Sequence, residues 1–318
     1  MQIIPISLPT PFPVGDVNVY LIKDEPLTLI DTGAKTPESL AALREGLRMK
    51  ANCTLADIKR IVLTHTHEDH FGLAHTILDE ARGVQVLVHA WETGHLAKRF
   101  DKDSHGLLLK RAGVNEEEII NVEKLFTAVD NYSDPLDASV CDELFDDGVI
   151  EFTSGSLRVV HTPGHTPGSC SLLRESDRTV IAGDCVLKRI TPNPILSPDP
   201  VDKTRRFRSL EEYLVSLARL RSFAPTLIYG GHGEAITDYE ELFHRYLRLI
   251  RERGAVMLSK VANTGSTASE VAHAVFPNAH GIHRFLALSE ASAHLDLLVA
   301  EGKLAIEMQT EVEFYRPY

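Results

Sequence analysis

With 318 residues, 43% of them hydrophobic and 25% charged, the chain has the make-up of an ordinary globular protein with room for a large core, neither disordered nor fibrous. Its formal charge of -12 argues against bulk attraction to nucleic-acid phosphate or anionic membrane and points to small-molecule substrates. No apolar run reaches the roughly 18 residues that span a bilayer. The opening MQIIPISLPTPFPVG has no secretory pattern and the 4 cysteines form no CxxC pair, so a reducing cytoplasm is the expected compartment.

Along the chain, short Val- and Ile-rich runs bounded by turn residues predict strands at VNVYLI, PLTLID, RIVLTH, VQVLVH, LRVVHT, CSLL, TVIAGD and TLIYGG. Helical patterns stand between several of them. PESLAALREGLRM has Pro37 suited to the first turn, and FGLAHTILDEARG ends at Gly83. The alternation predicts an α/β domain over residues 1–238, with helices covering the sheets. Residues 91–147 break the rhythm with a charged, helix-prone segment and no clear strand, which reads as an insertion over the site or as a surface excursion.

A second change comes at residue 239. YEELFHRYLRLIRERGAVML predicts one long amphipathic helix, STASEVAHAVF opens with Thr267 and Glu270 in a capping pattern, and a third helix closes at Gly302. LAIEM and VEFYR then alternate like a hairpin, so residues 239–318 are expected to form a small winged-helix domain. From Glu241 to Tyr318 there are eight Lys or Arg against nine Asp or Glu, which gives that domain no bulk basic character.

The chemistry is concentrated at predicted strand ends. THTHEDHFG places His65, His67, Asp69 and His70 directly after RIVL, with the first pair in a loop and the second at a helix start, a spacing that suits two adjacent cations. HTPGHTPGS adds His161 and His165, IAGDC adds Asp184, and IYGGHGE adds His232, each at a strand end followed by a glycine-bearing turn. Ligands from four strand ends converge on one rim of an α/β domain, where such domains commonly build sites.

With these motifs the chain resembles the metallo-β-lactamase-fold hydrolases over about residues 1–235. Its bridging aspartate is most like the glyoxalase II and β-lactamase-like protein 2 branch. The resemblance implies an αβ/βα sandwich of two mixed sheets flanked by helices. It also implies that His65, His67 and His165 hold one metal, that Asp69, His70 and His232 hold the other, and that Asp184 bridges them. His161 then becomes a neighbour of the site, and Asp31 in LIDTG takes a supporting or structural role. Two divalent ions are implied, zinc by default, with iron and manganese as alternatives for the same donors.

The expected reaction is attack of a metal-bridging hydroxide on an ester, thioester or lactone carbonyl of a small acidic metabolite, with Asp69 orienting the nucleophile's proton. Lys188 and Arg189, in the proline-stiffened segment after Asp184, either clamp a substrate anion or are two solvated charges. The C-terminal domain is expected at the active-site rim or in a homodimer interface rather than on nucleic acid. The alternatives are a single-strand endoribonuclease of the β-lactamase-like protein 2 type and a mononuclear iron sulfur dioxygenase.

Overall fold

The computed structural model describes residues 1–97 and 100–318. Strands β1 (Gln2–Leu8), β2 (Val17–Lys23), β3 (Thr28–Ile30), β4 (Arg60–Val62), β5 (Gln85–His89) and β6 (Cys141–Leu144) form one sheet in that order, antiparallel up to β3 and parallel from β3 onward. Side chains alternate across β2: Val17, Val19 and Leu21 enter the outer core, while Tyr20 and Ile22 face the inter-sheet core. The outer core is closed by helix α1 (Pro37–Ala51), through Leu43 and Leu47, and by Ile77. Thr36 caps α1 by accepting the Ser39 N–H, and Pro37 starts it as expected.

After β4 the predicted single helix is divided into α2 (Glu68–Phe71) and α3 (Ala74–Glu80). The segment 91–147 carries α4 (Lys102–Arg111) and α5 (Glu116–Val129), and positions 98 and 99 in it lie outside the described residues. It also supplies β6, so its strandless reading is corrected. CDEL at the sheet edge has two exposed acidic residues and no apolar run.

The second sheet runs β11 (Leu227–Gly230), β10 (Thr179–Gly183), β9 (Cys170–Arg174), β8 (Gly155–His161), β7 (Val149–Phe152), all antiparallel except β10 with β11. Its inner face (Leu157, Val159, Leu172, Ile181) meets Tyr20, Ile30 and Val62 of the first sheet. Its outer face is covered by α6 (Ser209–Ser222) and α7 (Tyr239–Leu258). Two mixed sheets between helical layers are the predicted sandwich. The pairing makes β8, β10 and β11 run the same way, so their C-terminal ends share one edge.

Helix α7 spans the predicted 239–258, and its Tyr239, Leu242, Phe243, Tyr246 and Ile250 pack on the second sheet while Met257 enters the C-terminal core. There it meets α8 (Ala268–Val275), α9 (Ile282–Ala300) and the hairpin β12 (Leu304–Gln309)–β13 (Val312–Pro317). The Thr267–Glu270 capping box is formed. Phe100, Leu108, Leu109 and Phe126 share this core with Phe285, Leu295 and Tyr315, so α4 and α5 pack on the C-terminal module. The buried guanidinium of Arg206 donates to both oxygens of Asp296 at 2.7 and 2.6 Å and to Glu313, tying the module to the loop before α6.

Candidate metal centre

Each of four strand ends at the shared edge delivers ligands. His65 and His67 follow β4, His165 lies in the turn after β8, Asp184 is the residue after β10, and His232 follows β11 within two residues. Helix α2 adds Asp69 and His70 from consecutive positions. Backbone hydrogen bonds lock this edge: Cys170 N to Thr64 O at 2.8 Å, Gly231 N to Gly183 O at 2.7 Å and Asn18 N to Gly231 O at 2.7 Å.

Three overlapping groups result among the described residues, each with candidate ligand atoms within 4.8 Å of one another: His65, His67 and His165 on one side, Asp69, His70 and His232 on the other, and His65, His70 and Asp184 between them. His67 Nδ1 lies 2.9 Å from His165 Nε2, and His232 Nε2 lies 3.4 Å from Asp69 Oδ2. Asp184 stands between the groups. One oxygen is 3.4 Å from His70 Nε2, and the other is 3.6 Å from both His165 Nε2 and His232 Nε2.

The imidazoles are aimed by what their outer nitrogens touch. His165 Nδ1 donates to the Asn193 carbonyl and His232 Nδ1 to the Asp16 carbonyl, both at 2.9 Å. A carbonyl only accepts, so each Nε2 turns a lone pair inward. Asp31, at φ 56, accepts the Thr64 N–H, the Thr64 hydroxyl and His70 Nδ1–H, each at 2.8 Å. That is the supporting role expected for it. The Thr64 hydroxyl spends its proton on Asp31, so it accepts His65 Nδ1–H at 3.1 Å.

These residues fit a pair of divalent cations. His70 Nε2, His232 Nε2 and Asp184 Oδ1 are buried without a hydrogen-bond partner among the described residues, a costly state unless something positive lies between them. Burial opposes charge on Asp184, yet His232 and His70 hold its carboxyl well below the usual range. Burial likewise disfavours the His70 imidazolium, but Asp184, Asp31 and Asp69 raise it well above the ordinary value. A histidine that binds a cation does so in its neutral form, so metal binding here competes with protonation of these imidazoles.

Space is equally tight. A Cβ on Gly231 would lie 2.1 Å from Asp184 Oδ1 and 2.8 Å from His70 Cε1. Gly231→Ala is expected to push the shared carboxylate aside and weaken the more weakly held cation about 10- to 100-fold. A metal titration followed by calorimetry checks this, with the circular dichroism spectrum as the control for folding.

Several predicted residues lie elsewhere. His161 stacks on His89 with centroids 4.3 Å apart and donates Nε2–H to the Pro167 carbonyl at 2.9 Å, outside all three groups. Lys188 is half-buried and Arg189 exposed, both pair with Glu234 at 2.6 and 2.9 Å, and neither lines the cleft beside the candidate ligands. Of the two readings expected for them, their pairing at the surface is that of solvated charges rather than of a substrate clamp. Burial pushes the Cys185 thiol up to about 12, which suits an inert core residue.

One residue had no sequence signal of its own. Glu92, fully buried, accepts the Thr66 N–H and hydroxyl on one oxygen at 2.9 and 2.7 Å. Its other oxygen accepts the Thr166 hydroxyl at 2.7 Å and the Gly168 N–H at 2.8 Å. Each threonine follows a ligand histidine, so a single carboxylate clamps the two ligand loops together. The repeated His-Thr pair was the only trace of it in the sequence.

Comparison with known proteins agrees with this geometry. The profile of the Metallo-beta-lactamase superfamily matches residues 12–232. The chain is 33% identical to a "Probable metallo-hydrolase YqjP" of Bacillus subtilis, over 99% of this chain and 98% of that protein. It is 26% identical to a "Beta-lactamase-like protein 2 homolog" of Caenorhabditis elegans, over 92% and 82% respectively. A crystal structure of a metallo-beta-lactamase family protein from Thermus thermophilus superposes with a TM-score of 0.79 and 26% identity, covering 100% of this chain and 98% of that one. The likeness extends through the C-terminal module. With the profile covering most of the chain and the ligand positions gathered at one sheet edge, the chain belongs to the metallo-beta-lactamase superfamily, as a metal-dependent hydrolase.

Proposed function

We propose that the protein hydrolyses a carboxylic ester, thioester or lactone at a two-cation centre. In this reading His65, His67 and His165 would hold one ion, Asp69, His70 and His232 would hold the other, and Asp184, placed between the groups, would serve both. The observation that carries it is the position of Asp184, whose two oxygens face nitrogens of both groups at 3.4 to 3.6 Å. Zinc is the expected occupant, since imidazole nitrogen and carboxylate oxygen suit a borderline ion. When bound, such a pair lowers the pKa of a shared water towards neutrality and polarises the substrate oxygen.

The protein's own part is orientation and proton handling. Asp69 lines the cleft with a carboxylate that burial would neutralise but that His70 and His232 keep ionised, so it can accept the proton of the attacking water. Thr64, Asp31, Asn193 and Asp16 fix the ring orientations before substrate arrives. Helices α7–α9 and the hairpin form a C-terminal helix-and-sheet module, and Ile282 and Leu286 of α9 line the cleft. That placement supports a role at the active-site rim.

Elemental analysis paired with a panel of a thioester, a lactone, a phosphodiester and single-stranded RNA tests the reading. The expected result is about two metals per chain and turnover of a carbonyl substrate. Cleavage of RNA alone, or a single iron with sulfur dioxygenase activity, overturns it.

A further inference from the structure

The cleft beside the ligands holds 340 Å³, and its chemistry is one-sided. At the metal end stand His67, Asp69, His165 and Asp184. Glu68 joins them there, and elsewhere the lining is mostly apolar, from Phe12 in the loop before β2, Val129 at the end of α5, Leu187 and Ile190 after Asp184, and Ile282 and Leu286 on α9, with Thr191 and Asn193 as its polar members. Among the described residues of the lining there is no lysine or arginine. Val14 and Ile190 are 37% and 49% exposed, so apolar surface continues to the cleft mouth.

The wall is pre-formed. The Tyr246 hydroxyl takes the Leu187 N–H at 2.9 Å and reaches the Ile190 carbonyl at 2.9 Å. Arg253 holds Thr191 at 2.7 Å, and the Asn193 amide donates to the Leu286 carbonyl at 3.1 Å. The segment 187–193 is thereby pinned to α7 and α9. An apolar wall held this way binds by matching shape rather than by wrapping around a charged group.

From this lining, and resting on the carbonyl-hydrolase reading above, we infer that the cleft takes an uncharged aliphatic acyl group of about six to eight carbons. At roughly 30 Å³ per heavy atom, 340 Å³ admits at most about eleven such atoms, of which the reacting carboxyl group takes about three, leaving room for a chain of up to about eight carbons. An acyl chain ending in a carboxylate would place that charge at the apolar end, away from the metal end and without a cationic partner among the described residues there. The acidic metabolite expected from the sequence rested on Lys188 and Arg189, which Glu234 holds outside. In the reaction, water adds its oxygen to the acyl carbon, the acyl–oxygen or acyl–sulfur bond breaks, and the water proton leaves with the alcohol or thiol.

The test measures kcat/KM on straight-chain acyl thioesters from acetyl to dodecanoyl with the metal-loaded enzyme. It also measures calorimetric binding of the matching methyl ketones, which cannot be hydrolysed. Activity and affinity should both rise about fourfold per added methylene and level off at six to eight carbons. A chain of the same length ending in a carboxylate should react at least tenfold more slowly. In Leu286→Trp the octanoyl-to-acetyl ratio should fall at least tenfold, and wild-type ketone binding decides the matter if that variant does not fold. Hydrolysis with no dependence on chain length overturns the acyl pocket and leaves the carbonyl-hydrolase reading standing. If no carbonyl substrate reacts, rising ketone affinity upholds the pocket while the proposed reaction fails, and flat affinity overturns both.

Discussion

Asp184→Ala will abolish activity while leaving the fold intact, and His67→Ala will do the same through one half of the centre. Asp184 is the group that faces nitrogens on both sides, and it follows β10 outside the hydrophobic clusters. Without it each group keeps three candidate ligands, His65, His67 and His165 on one side and Asp69, His70 and His232 on the other, one short of the usual four for each ion. Bound metal is expected to fall from about two per chain to one or fewer, and kcat/KM by about a thousandfold or more. His67 is the partner of His165 at 2.9 Å, so its loss opens the other group. Metal content, turnover and circular dichroism on the same preparations check this, and full activity in either variant would sink the ligand assignment.

Glu92→Gln will cost stability and metal affinity together, although Glu92 touches no ligand atom. All four of its hydrogen bonds come from donors, two backbone N–H groups and two hydroxyls. An amide offers one accepting oxygen and turns an NH2 against the other pair of donors. Leaving buried donors unsatisfied in this knot is expected to cost about 3 kcal/mol, which is about 5 °C in Tm for a chain of this size. Loosening of both ligand loops should lower metal affinity about tenfold or more.

The pH dependence of that deficit has a definite sign. Burial would raise the Glu92 pKa, but His95, Thr66 and Thr166 bring it below the ordinary 4.5. A depressed carboxyl stabilises the fold above its unfolded value and loses that contribution as pH falls through the folded one. The Tm gap between metal-free wild type and Glu92→Gln is therefore expected to be full above about pH 5 and to close under more acid conditions. A gap that widens towards low pH contradicts this account.

How much of this was legible in the sequence follows from where each signal lies. The strands buried on both faces, such as RIV and TVIAG, were found because their residues form continuous apolar runs. The three that were not found, β1, β6 and β7, are all sheet edges. There exposed residues interrupt the pattern: Pro5 in β1, Asp142 and Glu143 in β6, Glu151 in β7. Helix α7 was read to its ends, because its apolar positions recur with the helical period and Asp238 caps it.

The ligands themselves were legible because imidazole and carboxylate chemistry is carried by residue type, and strand ends that aim it are local features of the chain. What orients them was not. The Asp16 and Asn193 carbonyls are backbone groups that any residue offers, and their contacts join positions 216 and 28 residues apart. Glu92 binds partners 26 and 74 residues away. The role of the charges after Asp184 was decided the same way, since Glu234, 46 positions beyond Lys188, holds them out of the cleft. Residue type and spacing determined which side chains gather into groups that could hold metal, and that the chain is a metal-dependent hydrolase of this superfamily. Only the tertiary structure decided how that centre is held and what kind of surface the substrate meets, because both depend on contacts between segments that the order of residues does not bring together.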